Sequence, residues 1–399
     1  MCYNYIVAKY NQEKIMKRYV KFAALVLAIL MLPTFAACDL TSNAPSESTP
    51  SDTPESTPEE TPADTPADTE PMNKFERTSY TIKNNADKVK VTGRTSLGVY
   101  GYALDWSASA IEFNATCKGN VSVKMTASGS SVFAVFVNGE CTKNITVSGS
   151  SKSYTIAENL EEGTYHFRLF KITGVQSTSS ISHITVSGTL EEAPAEKQYL
   201  VEFIGDSITC GSGANYTAAN QDTSYHAELS WAYLLSQSLN VDYTVVAIGG
   251  IGVAHSNSSH DGRTMNDLYP LTCYYRDAKA EYTAERKADL VIIGLNTNDG
   301  NTPTQSDYTA AAMKLINAVK KVHGDDVKIL WVSTMMYGPN NCDYWAKSIL
   351  TSLGGEAAGY YFTTGRPNNL GGNTHPNADG HLTNAEMVKT FIDSKKILK

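Results

Sequence analysis

Ser207 closes the tripeptide Gly205-Asp206-Ser207, directly after the apolar run Leu200-Val201-Glu202-Phe203-Ile204. A hydroxyl is a weak nucleophile until an imidazole takes its proton, and attack on an ester carbonyl creates an oxyanion that needs preorganised donors. The chain offers candidates for both needs. Of its 8 histidines, His375 stands in Gly372-Asn373-Thr374-His375-Pro376-Asn377, a loop ahead of a helix expected from about Asp379. His381, on that helix, is the second candidate base. Gly249-Gly250-Ile251-Gly252 follows the run Tyr243-Thr244-Val245-Val246-Ala247-Ile248 and lets backbone amides approach an oxyanion with no side chain in the way. Gly250 is the expected donor and Gly252 the alternative. The Ser207 N–H and the side-chain amide of Asn298, in Gly294-Leu295-Asn296-Thr297-Asn298-Asp299, would complete the set.

These residues need a scaffold that brings distant loops together. Between residues 197 and 399, apolar runs alternate with helical stretches, which predicts a parallel sheet covered by helices, with Ser207, Gly250 and Asn298 at the carboxyl ends of its strands. Residues 75–190 instead show short alternating runs broken by Gly, Asn and Ser, such as Val132-Phe133-Ala134-Val135-Phe136-Val137 before Asn138-Gly139. That pattern predicts an antiparallel β-sandwich of the jelly-roll kind with a tight hairpin at Asn138-Gly139. The sandwich could bind carbohydrate, wall a cleft or act as a spacer, and Trp106 could stack on a sugar or fill the core. Tyr337, Tyr344 and Trp345, after the run Val327-Lys328-Ile329-Leu330-Trp331-Val332, could likewise form a sugar platform or pack inside, and Asp222 and Asp343 carry no assigned role.

The stretch from Val201 to Gly211, the glycine-rich segment after Ile248, Asn298-Asp299 and His375-Pro376 resemble, in this order, the blocks of the SGNH, or GDSL, hydrolases. With Asp105-Trp106-Ser107-Ala108-Ser109-Ala110-Ile111-Glu112-Phe113 upstream, the chain resembles carbohydrate esterase family two, a jelly-roll domain followed by an α/β/α SGNH domain. The resemblance covers roughly residues 76–395 and implies hydrolysis of O-acetyl esters on plant polysaccharides such as xylan or glucomannan, often at a 6-hydroxyl. It implies Ser207 as nucleophile, His375 as base, and Ser207, Gly250 and Asn298 as the oxyanion hole. Two positions depart from the family pattern. Asn296 replaces a usual glycine, and Asn373 replaces the aspartate that commonly orients the histidine, so either Asn373 by a neutral bond or a backbone carbonyl must do so.

The N-terminal segment suggests an address. From Met16 the chain reads Lys17-Arg18, an apolar run from Phe22 to Leu32, then Phe35-Ala36-Ala37-Cys38, the regions of an export signal, with residues 1–15 upstream of that start. Phe35-Ala36-Ala37-Cys38 resembles a bacterial lipobox, which implies cleavage and a lipid anchor on Cys38. Residues 39–74 are dominated by Pro, Ser, Thr, Glu, Asp and Ala, a disordered tether that would hold the folded part ~50 Å from a membrane. The expected domains are thus a signal over 1–38, a linker over 39–74, a sandwich over 75–190 and an SGNH domain over 197–399.

A formal charge of -8 argues against a nucleic-acid partner. The 7 cysteines show no zinc-ligand spacing, and no metal or cofactor is expected. Cys117 and Cys141 could pair after export, with reduced core thiols the other reading. The expected partners are an acetylated polysaccharide and, through the anchor, a membrane, with the protein outside the cytoplasm. A lipase or thioesterase of the same fold, and a non-catalytic lipoprotein that binds acetylated glycan, are the alternatives.

Overall fold

The computed structural model describes residues 75–274, 281–333, 335–365 and 368–399. The expected signal, Cys38 and the tether lie outside the described residues.

Seven strands, β1 (Arg77–Thr81), β2 (Val89–Thr92), β3 (Ser96–Gly98), β4 (Gly101–Ala103), β5 (Ala110–Val137), β6 (Glu140–Lys171) and β7 (Thr178–Leu190), form one curled antiparallel sheet. Alternation turns Ile111, Phe113, Ala115 and Cys117 of β5 inward, and the Phe113 ring stacks on Phe167 of β6 with centroids 5.0 Å apart. The sequence pattern predicts short strands, yet β5 and β6 run long and bend. Register shifts flank Gly119 and Gly129, whose φ angles of 72° and 85° let one strand turn from one layer into the other. The segment 132–137 accordingly pairs with 140–146 on one side and 167–171 on the other. Asn138 and Gly139 both take positive φ, as the hairpin requires. Cys117 and Cys141 are both free thiols.

The second half contains β8 (Leu200–Gly205), β9 (Asp242–Ala247), β10 (Leu290–Gly294), β11 (Lys328–Ser333) and β12 (Tyr360–Thr363), in the order β12-β11-β10-β8-β9, every pair parallel. The strand β12 is an addition to the four apolar runs visible in the sequence. Helices α1 (Trp231–Leu239) and α5 (Ala378–Lys395) cover one face, while α2 (Met265–Leu268), α3 (Gln305–His323) and α4 (Asn341–Ser352) cover the other. Successive strand residues feed the two sides: Ile292 and Leu330 belong to the first core, Val291 and Ile329 to the second. The chain adds β9 on one side of β8 and then β10 on the other, so the crevice at the carboxyl ends of these strands is where a ligand fits.

The two halves share their cores. Phe136 and Phe170 of the antiparallel sheet, with Ile172 just after β6, lie in the same buried cluster as Tyr233 and Tyr243, and the Phe170 and Tyr233 rings are 4.7 Å apart. Trp106 is fully buried and donates its Nε1–H to the Thr272 carbonyl at 2.9 Å, which removes it as a sugar platform. The antiparallel sheet is therefore no spacer. Buried Arg94, after β2, reaches Glu202 of β8 in a bidentate pair with Nη2 3.0 Å from each carboxylate oxygen. Tyr269 Oη and His323 Nε2 share Glu202 Oε1 at 2.8 and 3.1 Å. Burial alone would raise the Glu202 carboxyl, and the Arg94 guanidinium together with the bonds from His323 and Tyr269 outweighs it, holding the pKa at about 2.

Candidate active site

The turn that carries Ser207 is compact because Gly205 has no side chain: a Cβ there would sit 1.9 Å from Thr209 Oγ1. Asp206 accepts the Ile208 N–H on Oδ1 at 2.9 Å, and the Ser207 carbonyl accepts Ser212 N–H at 2.9 Å. This pins the backbone on both sides of the hydroxyl.

His375 enters from the loop before α5. Asn377 caps that helix by accepting Gly380 N–H at 3.0 Å, and Gly371 N–H donates to the His375 carbonyl at 2.6 Å. His375 Nε2 lies 2.7 Å from Ser207 Oγ, and its Nδ1 lies 3.2 Å from the main-chain carbonyl of Asn373. A carbonyl can only accept, so Nδ1 carries the proton and the neutral ring presents a bare Nε2 to the serine hydroxyl. Asn373 and Thr374 adopt φ of 53° and 64°, two successive left-handed residues that turn the Asn373 carbonyl back toward the ring. The Asn373 side chain is exposed and makes no bond to the imidazole. Of the two expected orienting groups, it is the backbone that touches His375. Burial lowers the His375 pKa below its ordinary value, while the Asn373 and Gly372 backbone groups pull the other way.

His381 cannot serve as the base. It is fully buried in α5, its Nδ1 accepts the N–H of Trp231 at 3.2 Å, and burial lowers its pKa to about 3.

On the oxyanion side, neither the Ser207 nor the Gly250 N–H donates to another described residue, and both residues line a cavity of about 500 Å³ with His375 and Asn298. Gly250 has φ 84°, and a Cβ there would fall 2.1 Å from Asn257 Nδ2. Gly252 is excluded as the alternative donor because its N–H is held by Ser256 Oγ at 3.0 Å. The Asn298 amide faces the same cavity but is braced, with Nδ2 2.8 Å from the Ile251 carbonyl and 3.3 Å from Asp206 Oδ2. Burial pushes the Asp206 carboxyl up to about 7. Asn296, in the usual glycine position, is buried with φ 90° and donates to Asp343 Oδ1 at 2.9 Å, so it braces α4 and stays out of the cavity lining.

Two further residues brace the loop that carries Gly250. Asp299 accepts the N–H groups of Val253, Ala254 and His255 at 2.8, 2.6 and 2.9 Å. Buried His260 donates from Nε2 to the Gly249 carbonyl at 2.8 Å. In a planar trans peptide the carbonyl and the next N–H point in opposite directions, so this bond aims the Gly250 N–H away from His260. Asp299 belongs to the Asn298-Asp299 block visible in the sequence, although its bonds to residues 253–255 are not, and nothing in the local sequence marks His260.

Asp222 and Asp343 are explained by structure. Asp222 bonds His226 Nε2 at 2.8 Å, and Asp343 accepts the Asn340 N–H at 2.9 Å in the capping box of α4. Trp345 packs against Tyr308, whereas Tyr337 and Tyr344 are exposed, and Tyr337 Oη lies 3.0 Å from Thr374 Oγ1 beside His375.

Residues 91–194 match the carbohydrate esterase 2 N-terminal family, and residues 203–382 match the GDSL-like lipase/acylhydrolase family. The chain thus carries a carbohydrate esterase 2 N-terminal domain followed by a GDSL-like hydrolase domain. It is 28% identical over 240 residues to the cellulase/esterase CelE of Acetivibrio thermocellus, a match that covers 58% of this chain and 29% of that protein. It is 24% identical over 252 residues to an acetylxylan esterase / glucomannan deacetylase of Cellvibrio japonicus, covering 58% of this chain and 68% of that protein. A solved family two carbohydrate esterase from Clostridium thermocellum, in complex with cellohexaose, shares the fold with a TM-score of 0.69 at 23% identity, over 77% of this chain and 99% of that one.

Proposed function

We propose that this protein is a carbohydrate O-acetyl esterase that works through a Ser207–His375 dyad. The observation that carries the reading is the 2.7 Å contact between His375 Nε2 and Ser207 Oγ, with the ring tautomer set by a carbonyl. Ser207 Oγ attacks the acetyl carbonyl carbon as its proton passes to His375 Nε2. The Ser207 and Gly250 N–H groups receive the oxyanion, and the Asn298 amide adds a third donor by exchanging one of its present bonds. His375 then protonates the departing sugar oxygen, leaving an acetyl-serine. Water, deprotonated by the same nitrogen, attacks this ester, and acetate leaves with the serine hydroxyl restored. The imidazolium formed in each step meets only a carbonyl dipole at Nδ1, which serves where a carboxylate is commonly used.

The substrate class follows from the relatives named acetylxylan esterase / glucomannan deacetylase and from the carbohydrate esterase 2 domain. The exposed Tyr337 ring beside Thr374 offers a face on which a sugar of an acetylated xylan or glucomannan can rest near the leaving-group side. The export signal, the Cys38 lipobox and the tether support an anchored, extracytoplasmic enzyme acting on polymer outside the cell.

Acetate release from acetylated xylan and glucomannan, set against hydrolysis of an octanoyl ester, tests this reading. Preference for the acetylated glycans supports it. Preference for the octanoyl ester would assign the fold to lipase or thioesterase chemistry, and glycan binding without turnover would make the protein a binding lipoprotein.

A further inference from the structure

Lys171, the last residue of β6, is fully buried, an expensive place for an ammonium group unless its donors are met. Its Nζ donates to three main-chain carbonyls, those of Asp105 at 2.6 Å, Gly174 at 3.0 Å and Ser177 at 2.8 Å. An apolar side chain of similar length could fill the same space. The ammonium does more: by gathering the carbonyls of Gly174 and Ser177 onto one atom, it closes residues 174–177 into a turn that projects Val175 and Gln176 toward the catalytic half. The hydroxyl chain Ser177–Ser131–Ser179, with contacts of 2.5 and 2.6 Å, fastens the far end of that turn.

Val175 joins Ile248 and Tyr274 in one buried apolar cluster, and the three line the same cavity as Ser207. Gly174 permits this approach, since a Cβ there would fall 2.9 Å from the Tyr225 ring, another wall of the cavity. At the tetrahedral carbon, the leaving oxygen must face His375 and the oxyanion must face the Ser207 and Gly250 N–H groups. The acyl chain takes the direction that remains, and the apolar part of the lining suits a methyl group.

We propose that residues 174–177, supplied by the connection between β6 and β7, are the acyl wall that limits the enzyme to acetyl esters, and that Lys171 is the positioning residue that holds this wall in place. This rests on the esterase reading above and adds which acyl groups the site accepts.

The test compares wild type, Val175→Ala and Lys171→Met on p-nitrophenyl acetate, butyrate and hexanoate, with near-UV circular dichroism to confirm native packing. Shortening Val175 should raise the butyrate-to-acetate ratio of kcat/KM by about tenfold, the worth of one or two methylenes in an apolar pocket. Lys171→Met should shift the ratio the same way and lower kcat on acetate; if it does not fold, Lys171→Arg takes its place. A folded Val175→Ala with an unchanged ratio overturns the acyl wall, and a folded Lys171 variant with a wild-type ratio overturns the positioning role. Wild-type protein inactive on acetate would instead overturn the esterase reading.

Discussion

His375 Nδ1 bonds the main-chain carbonyl of Asn373 at 3.2 Å, so the group that orients the imidazole cannot be removed by changing a side chain. Asn373 matters through its backbone conformation, φ 53°, which Asn tolerates and Gly adopts freely, whereas Ala pays about 1 kcal/mol.

Asn373→Gly should therefore retain kcat within a few-fold of wild type, and Asn373→Ala should lose only somewhat more. Steady-state kinetics on an acetyl ester decide it. A loss in both variants as large as that of His375→Ala would mean that the amide side chain orients the ring.

The pH profile follows from the burial of His375. The neutral ring is the active form and its pKa lies below the ordinary 6.5, so activity should hold as pH falls through 6.5 and decline only at lower pH. The acid limb of kcat/KM measures this, and a limb centred above 6.5 contradicts it.

His260 should act on rate more than on binding. His260→Phe keeps the ring volume but loses the donor to the Gly249 carbonyl, freeing the Gly249–Gly250 peptide to rotate. With one oxyanion donor misdirected, kcat should fall roughly 10-fold to 100-fold with little change in KM. A wild-type kcat would show that the peptide is held by other contacts.

The interdomain pair sets stability. Arg94→Met leaves the buried Glu202 charge without its main partner and should cost about 3–5 kcal/mol in denaturant unfolding. Because the Glu202 pKa is depressed to about 2, its contribution is present above the ordinary carboxylate value of 4.5 and is lost as pH falls toward 2. The gap between wild type and Arg94→Met should narrow over that window. A constant gap would place the effect in packing alone.

Much of this site was legible because each residue sits beside a local signal. Ser207, Gly250 and Asn298 follow apolar runs that became β8, β9 and β10, and His375 precedes the helix that Asn377 caps. Residues that act across the fold carry no such mark. His260 and Lys171 work through backbone groups of other segments, a partnership that composition and periodicity do not encode. Trp106 is a third case: its sequence leaves a sugar platform and the core both open, and its burial and its bond to Thr272 place it in the core. The bends of β5 and β6 were hidden because glycines at turns and glycines inside a bending strand look alike in a sequence.

Acetate release from acetylated xylan and glucomannan by purified Ser207→Ala, beside wild type, tests the dyad most directly. The loss should be on the order of 10³-fold or more, with the fold intact by circular dichroism. A Ser207→Ala protein that retains a substantial share of wild-type turnover would contradict the account.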